Sequence, residues 1–210
     1  EDIQIKTLSP IVDFIANNYE IPISIDTRSS RVAMAFERNN INFINDVSSG
    51  CHDSDMLDVV SKLGCSYIMT HMPREHKEGS IKVYDDILSE IKTYFTDRIQ
   101  RCVEAGISKE KIIIDPGIGF GKSGENNINL LKNIKWLKTI HSNVCIGSSN
   151  KRYSSQLFKH IQTKEDLRIA NLATFATSTF YGVTYLRVHD VGLTKDTVLV
   201  INKAVELEQS

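Results

Sequence analysis

The sequence predicts an α/β fold with a parallel sheet covered by helices. Three observations predict it. Short β-branched runs alternate from end to end with polar turns and stretches of helical period. The runs themselves are nearly continuous apolar, as strands buried on both faces are. Each run also finishes on a polar residue, and in parallel α/β folds those C-terminal strand ends open on one face where ligands bind.

In chain order, a helix around Ser9-Tyr19 precedes the first strand, Ile23-Asp26. Further strands are predicted at Phe43-Val47, Tyr67-Met72, Lys111-Gly117, Val144-Ser149 and Tyr185-Asp190. Between the third and fourth, Ser80-Ala105 reads as one amphipathic helix, with Ile81, Tyr84, Ile87, Leu88, Ile91 and Phe95 on one face. Helices are also expected from about Tyr153, over 164–182 and over Thr194-Glu208. The polar strand ends are Asp26, Asn45-Asp46, His71, Asp115, Ser148-Ser149, and Arg187 with His189-Asp190. One such end is commonly a cap or turn former; six in succession point to a shared functional face. A closed (β/α)8 barrel needs eight strands and six are found, so the expectation is one TIM-type domain over residues 1–210, six of the eight βα units being present. No linker or composition shift divides it.

Composition narrows the function. The 210 residues are 41% hydrophobic, and 25 Lys+Arg against 26 Asp+Glu leave a net charge of -1, with no general drive toward nucleic acid or an acidic membrane. No apolar run approaches the roughly 18–20 residues needed to span a bilayer. Neither a basic nor an apolar leader is visible at Glu1-Asp2-Ile3, and the absence of an initiator Met suggests a processed or excised piece. Cys51, Cys65, Cys102 and Cys145 form no CxxC and are read as reduced, buried thiols of a cytoplasmic protein. The six histidines show no metal-ligand spacing; His71 and His76 read as loop residues.

Four motifs carry chemistry. The densest is Asp115-Pro116-Gly117-Ile118-Gly119-Phe120-Gly121-Lys122-Ser123-Gly124, whose alternating glycines let backbone approach a ligand while Lys122 adds charge. It ends like a Walker A loop, but Pro116 replaces the first glycine. It also fits a dinucleotide fingerprint, yet after Glu125 the next acid is Glu165, so neither nucleotide reading holds. A glycine turn without a ligand would leave Asp115 desolvated for no return. The second motif is Asp26, Asn45 and Asp115, acceptors plus an amide that suit a flat heterocycle rich in N–H groups. Paired carboxylates can equally hold a divalent metal or act as acid and base; the Asn and nearby Lys151 favour the heterocycle. Third, Arg187 and His189, two apart in a strand, share a face and make an anion clamp. Fourth, Gly147-Ser148-Ser149-Asn150-Lys151-Arg152 brings hydroxyls and cations to a helix start, another anion loop, or else a plain basic surface loop.

With SIDT, FINDV, THM, DPGIGFGK followed by Asn127 and Leu130-Leu131, and RVHDV in this order, the chain resembles the dihydropteroate synthases, pterin-binding (β/α)8 enzymes of folate biosynthesis, over nearly its whole length. The resemblance implies a transferase that joins p-aminobenzoate to a dihydropterin carrying a methyl pyrophosphate and releases pyrophosphate. It implies pterin binding by Asp26, Asn45, Asp115, Gly147 and Lys151, and a pyrophosphate clamp of Arg187 and His189. Phe120, Ser149 and Lys151 match the p-aminobenzoate pocket, where sulfonamides compete. Asp115, Lys151, Arg187 and His189 would be the catalytic set, with Mg2+ assisting pyrophosphate departure.

Two departures stand out. Ser149-Asn150-Lys151 lacks the family's arginine, for which Arg152 stands near, and the family's first two strands, with a metal-meeting Asn and a mobile Thr/Arg loop, have no counterpart here. No metal ligand is therefore expected within this chain. A missing N-terminal portion, possibly with a fused upstream folate enzyme, would complete the apparatus. The family also implies a homodimer, for which Ala170, Ala173, Ala176 and Phe180 on the 164–182 helix offer a face, although packing against the barrel explains them equally. The competing readings are an inactive pterin-binding paralogue and a methyltetrahydrofolate-binding domain of a corrinoid methyltransferase. The latter needs no pyrophosphate clamp, so Arg187-x-His189 argues against it.

Overall fold

A computed structural model describes residues 1–73, 80–148 and 153–208. The chain forms two compact units, the first Glu1–His71 with Tyr94–Ile113, the second Met72–Thr93 with Ile114–Ser210.

In the first unit, helix α1 runs Asp2–Asn18, about two turns ahead of the predicted start. The helix runs through Pro10 without a break. The Ser9 hydroxyl donates to the Ile5 carbonyl at 2.8 Å beside the proline, and the acidic Asp2 lies in the first turn, where the helix dipole favours it. Strands β1 (Ser24–Asp26), β2 (Phe43–Asp46) and β3 (Ser66–Thr70) pair in parallel, with Asp26 opposite Asn45 and Asn45 opposite Ile68. Strand β4 (Ile112–Asp115) completes the order β1-β2-β3-β4. Helix α2 (Ser30–Met34) is capped by Ser29, whose hydroxyl accepts from Val32 N, and α3 (Met56–Leu63) stops at Gly64, left-handed at φ 63°. The buried core includes Ile25, Phe36, Ile44, Met56, Tyr67 and Phe95.

Helix α4 runs Ile87–Glu104, seven residues shorter at its start than predicted. Ile81 and Tyr84 precede it, and Ile81 is exposed. The cause is local: the Asp86 carboxylate accepts from Leu88 N at 3.0 Å, and an aspartate that can cap a helix disfavours its own place inside one. Ile87, Ile91 and Phe95 are buried as the periodicity requires.

The second unit holds α5 (Gly124–Lys132), α6 (Ile134–Ile140), β5 (Cys145–Ile146), α7 (Tyr153–Leu157), α8 (Lys164–Phe180), β6 (Tyr185–Leu186) and α9 (Val191–Glu208). Ile114 bridges Val144 in parallel, and β5 pairs with β6, Cys145 opposite Tyr185. The predicted strands at both places were longer. After Leu186 the chain keeps one ladder bond, Arg187 N to Ile146 O at 2.9 Å, and then turns into α9, capped by Asp190. A capping box of Thr163 and Asp166 opens α8. Three cysteines are buried as expected; Cys51 is exposed, and the Arg98 guanidinium donates to its sulfur at 3.2 Å. Among the described residues, no helix is long and apolar enough to cross a membrane.

Candidate functional site

The strand ends of the first unit carry two distinct polar groups. Parallel register puts Asp26 beside Asn45, and the Asn45 amide donates to Asp26 Oδ2 at 2.9 Å. Asn45 is buried and Asp26 exposed, so the pair offers an accessible carboxylate whose orientation is set by a buried amide. Asp46, one residue on, does something else. Its carboxylate accepts from Ser48 N, Ser48 Oγ, Gly50 N and Tyr67 OH, at 2.7, 2.6, 2.7 and 2.7 Å. It is fully buried and saturated, and it anchors the turn that follows β2. Sequence reasoning listed Asp46 only as a polar end; the Asp-x-Ser spacing is an Asx-turn signal that would have separated it from Asn45. Tyr67 is held neutral, burial raising its pKa well above 10 and the Asp46 charge adding to that. His71, after β3, is buried with its ring edge-on to Tyr94 at 4.8 Å between centroids.

In the second unit, Asp115 is 0% exposed. Gly117 N donates to its Oδ1 at 2.8 Å, and the Arg187 guanidinium meets its Oδ2 at 3.0 Å. A buried carboxylate persists as an anion only when paired and hydrogen-bonded, and here both partners are present. Gly147 explains how the arginine arrives: a Cβ there would stand 2.8 Å from Arg187 Nη2 and 3.0 Å from Cζ, so the missing side chain is the space the guanidinium crosses. Burial pushes the neighbouring Cys145 thiol up, the Asp115 charge adding to this and Arg187 opposing it, so that sulfur is inert.

The structure therefore brings together Asp115, Gly147 and Arg187 at adjacent strand ends of this unit. It places His189 differently from the sequence argument. Because β6 ends at Leu186, the two-residue strand alternation does not extend to His189, which is exposed at the turn into α9. Phe120 is half-buried on the glycine-rich loop after β4. Ser149 and Lys151, with Asn150 and Arg152, lie outside the described residues, as does His76. The sequence assigns Lys122 only a positive charge beside the glycines. It is 2% exposed, its ammonium donating to backbone carbonyls within the loop, and nothing in a linear reading separates it from a surface lysine.

Among the described residues no three carboxylate, imidazole or thiol groups converge as a metal site. The described residues thus offer no three-ligand cage for Mg2+.

Each unit thus ends parallel strands on polar side chains, the arrangement by which α/β proteins as a class bind small polar ligands. Residues 1–189 match the family described as pterin binding enzyme. The chain is 30% identical over 210 residues to the dihydropteroate synthase of Escherichia coli strain K12, covering 99% of this chain and 73% of that protein. A Yersinia pestis dihydropteroate synthase solved with a sulfonamide drug superposes with TM-score 0.89 at 27% identity, covering 99% of this chain and 75% of the other. A Xanthomonas albilineans dihydropteroate synthase solved with 4-aminobenzoic acid gives TM-score 0.84 at 31% identity, covering 94% and 69%. The chain belongs to the pterin-binding enzymes and, within them, to the dihydropteroate synthases. Its fold is the TIM-type α/β architecture of that family, with six βα units among the described residues, and its activity class is that of a transferase of folate synthesis.

Proposed function

We propose that the chain condenses p-aminobenzoate with 6-hydroxymethyl-dihydropterin pyrophosphate, giving dihydropteroate and pyrophosphate. The observation that carries the residue assignment is Asp115, a fully buried carboxylate at the end of β4 held between a backbone N–H and an arginine. Such a group is costly to keep in a fold that does not use it. In this reading Asp115 accepts hydrogen bonds from ring N–H groups of the pterin, and Asp26, Asn45 and Gly147 belong to the pterin set by their match to the family's pattern. Lys151 belongs to the same set by its place in the sequence.

The reaction is a displacement. The amine nitrogen of p-aminobenzoate forms a bond to the pterin methylene carbon as the bond from that carbon to the pyrophosphate oxygen breaks. The electron pair leaves with pyrophosphate, and the amine proton passes to solvent. Arg187 and His189 offset the charge gathering on the leaving group, an electrostatic contribution present before the reaction begins. The Asp115 carboxylate stabilises the positive charge that develops on the pterin side. Phe120 and Ser149 orient the aromatic amine, and holding it in line with the methylene supplies much of the remainder.

Calorimetric titration with the dihydropterin pyrophosphate, beside Asp115→Asn, tests the assignment. Micromolar binding by the wild type that Asp115→Asn loses supports it. A folded wild type that ignores the ligand overturns it and favours an inactive paralogue. A homodimer and an intracellular setting belong to the same reading. Phe180, 50% exposed, and exposed Ala173 lie on α8 with half-buried Ala170 and Ala176, and support a face for a second copy. Sedimentation of Phe180→Glu against wild type tests it, a monomeric variant being the expected result.

A further inference from the structure

The loop after β4 turns on three glycines with positive φ, Gly117 at 71°, Gly119 at 79° and Gly121 at 59°. Glycines permit such a path without fixing it, because they tolerate many others. Two buried side chains hold it. Lys122, 2% exposed, donates from Nζ to the Gly117 carbonyl at 3.0 Å and to the Phe120 carbonyl at 3.1 Å. Asn127, fully buried on α5, accepts from Gly119 N at 2.8 Å and donates to the Lys122 and Ser123 carbonyls at 3.2 and 2.8 Å.

These bonds share their ends with the candidate site. Gly117, whose carbonyl Lys122 binds, is the residue whose N–H reaches Asp115. Phe120, whose carbonyl Lys122 also binds, carries the aromatic ring of the other candidate subsite. One ammonium thus ties the turn anchored on the pterin-side carboxylate to the backbone that aims the ring. An apolar side chain would fill the same space but leave the Phe120 carbonyl without this donor and Gly117 free to drift from it. Burying an ammonium is costly, and it returns a fixed spacing only because both carbonyls are met.

We infer that Lys122, braced by Asn127, is a positioning residue that sets the spacing between Asp115 and Phe120, and hence between the two substrates. The inference rests on the proposed function for the identity of those substrates, but the clasp itself is tested without them. Lys122→Met keeps the stem and removes the donors; Lys122→Gln restores an amide donor. Hydrogen exchange at the Gly117 and Gly119 amides is read by NMR, together with melting temperature and the affinities for dihydropterin pyrophosphate and for p-aminobenzoate added with it. In Lys122→Met we expect exchange at both glycines to speed up about tenfold or more with Ile112–Ile114 protection unchanged. Affinity for p-aminobenzoate should fall by a similar factor, and Lys122→Gln should recover part of both. Wild-type exchange at the two glycines in folded Lys122→Met overturns the clasp whether or not the ligands bind. Faster exchange with both affinities intact overturns its role in spacing. A wild type that binds neither ligand defeats the proposed function and the spacing role with it, leaving exchange to decide the clasp alone. Should Lys122→Met fail to fold, Lys122→Gln is read by the same measurements, with a smaller rise in exchange at Gly117 expected and wild-type exchange there overturning the clasp.

Discussion

Removing the Arg187 guanidinium should expose how far the Asp115 site is self-balanced. Arg187→Met keeps a long stem and deletes the cation that meets Asp115 Oδ2 at 3.0 Å. The carboxylate, 0% exposed, keeps the Gly117 N–H but loses the Arg187 charge. Breaking a fully buried pair by removing one partner costs about 3–5 kcal/mol. Here the arginine side chain is 34% exposed, so water screens one side of the pair and about 2 kcal/mol is the expected loss. Urea unfolding of wild type, Arg187→Met, Asp115→Asn and the double variant measures it. Once Asp115 is neutral, removing Arg187 should cost little, giving a coupling energy of about 1–2 kcal/mol at unchanged m-value. Additivity of the two single changes within about 0.5 kcal/mol would falsify the pairing as a stabilising interaction.

Three further outcomes follow from particular contacts. Tyr67→Phe removes the hydroxyl donating to Asp46 and should lower stability by about 1–2 kcal/mol near neutrality. Because burial and then Asp46 hold the folded-state pKa of Tyr67 well above 10, that stability is complete below about pH 10 and lost as pH rises beyond it. Urea midpoints through alkaline pH should therefore fall less steeply in the variant. Gly124→Ala places a Cβ 2.5 Å from Leu157 Cγ and 2.8 Å from Cδ2, so the Leu157 side chain or its helix must shift; a loss of about 1–3 kcal/mol is expected, and an unchanged melting temperature would contradict the close packing. Thr163→Ala opens the α8 capping box at a cost of about 0.5–2 kcal/mol. The Thr163 backbone N–H, then its hydroxyl, hold the Asp166 pKa below 3.8. The contribution of this carboxylate is thus present above that value and fades as pH falls through the lower folded-state pKa, which acid titration of the wild type beside Asp166→Asn reads out.

How much of this was legible in a linear reading differs from element to element. All six strands were, because a buried parallel strand is a run of apolar residues bounded by turn formers, a property of adjacent positions. Their ends were less so. β5 and β6 are two residues long rather than six, since pairing length depends on when a neighbouring strand turns away. The start of α4 was misplaced for a reason present in the sequence but outweighed by periodicity, the capping preference of Asp86. The beginning of α1 lies seven residues ahead of the expected start at Ser9, and Pro10 sits inside the helix rather than at its edge.

The site divides along the same line. By itself the sequence determined the fold class, the polar strand ends, and the residues Asp26, Asn45, Asp115 and Arg187 that answer to the family's pattern. Those are facts of composition and order. Only the tertiary structure decided what each polar group does. Asp46 and Asn45 are neighbours in sequence, yet one is consumed by four hydrogen bonds and the other directs its amide to Asp26. Lys122 looks like any exposed cation until the loop closes over it, and Arg187 meets Asp115 only because Gly147 leaves the path open. Periodicity is written into near neighbours, whereas the partner of a buried charge is chosen by residues tens of positions away, and that choice exists only once the chain has packed.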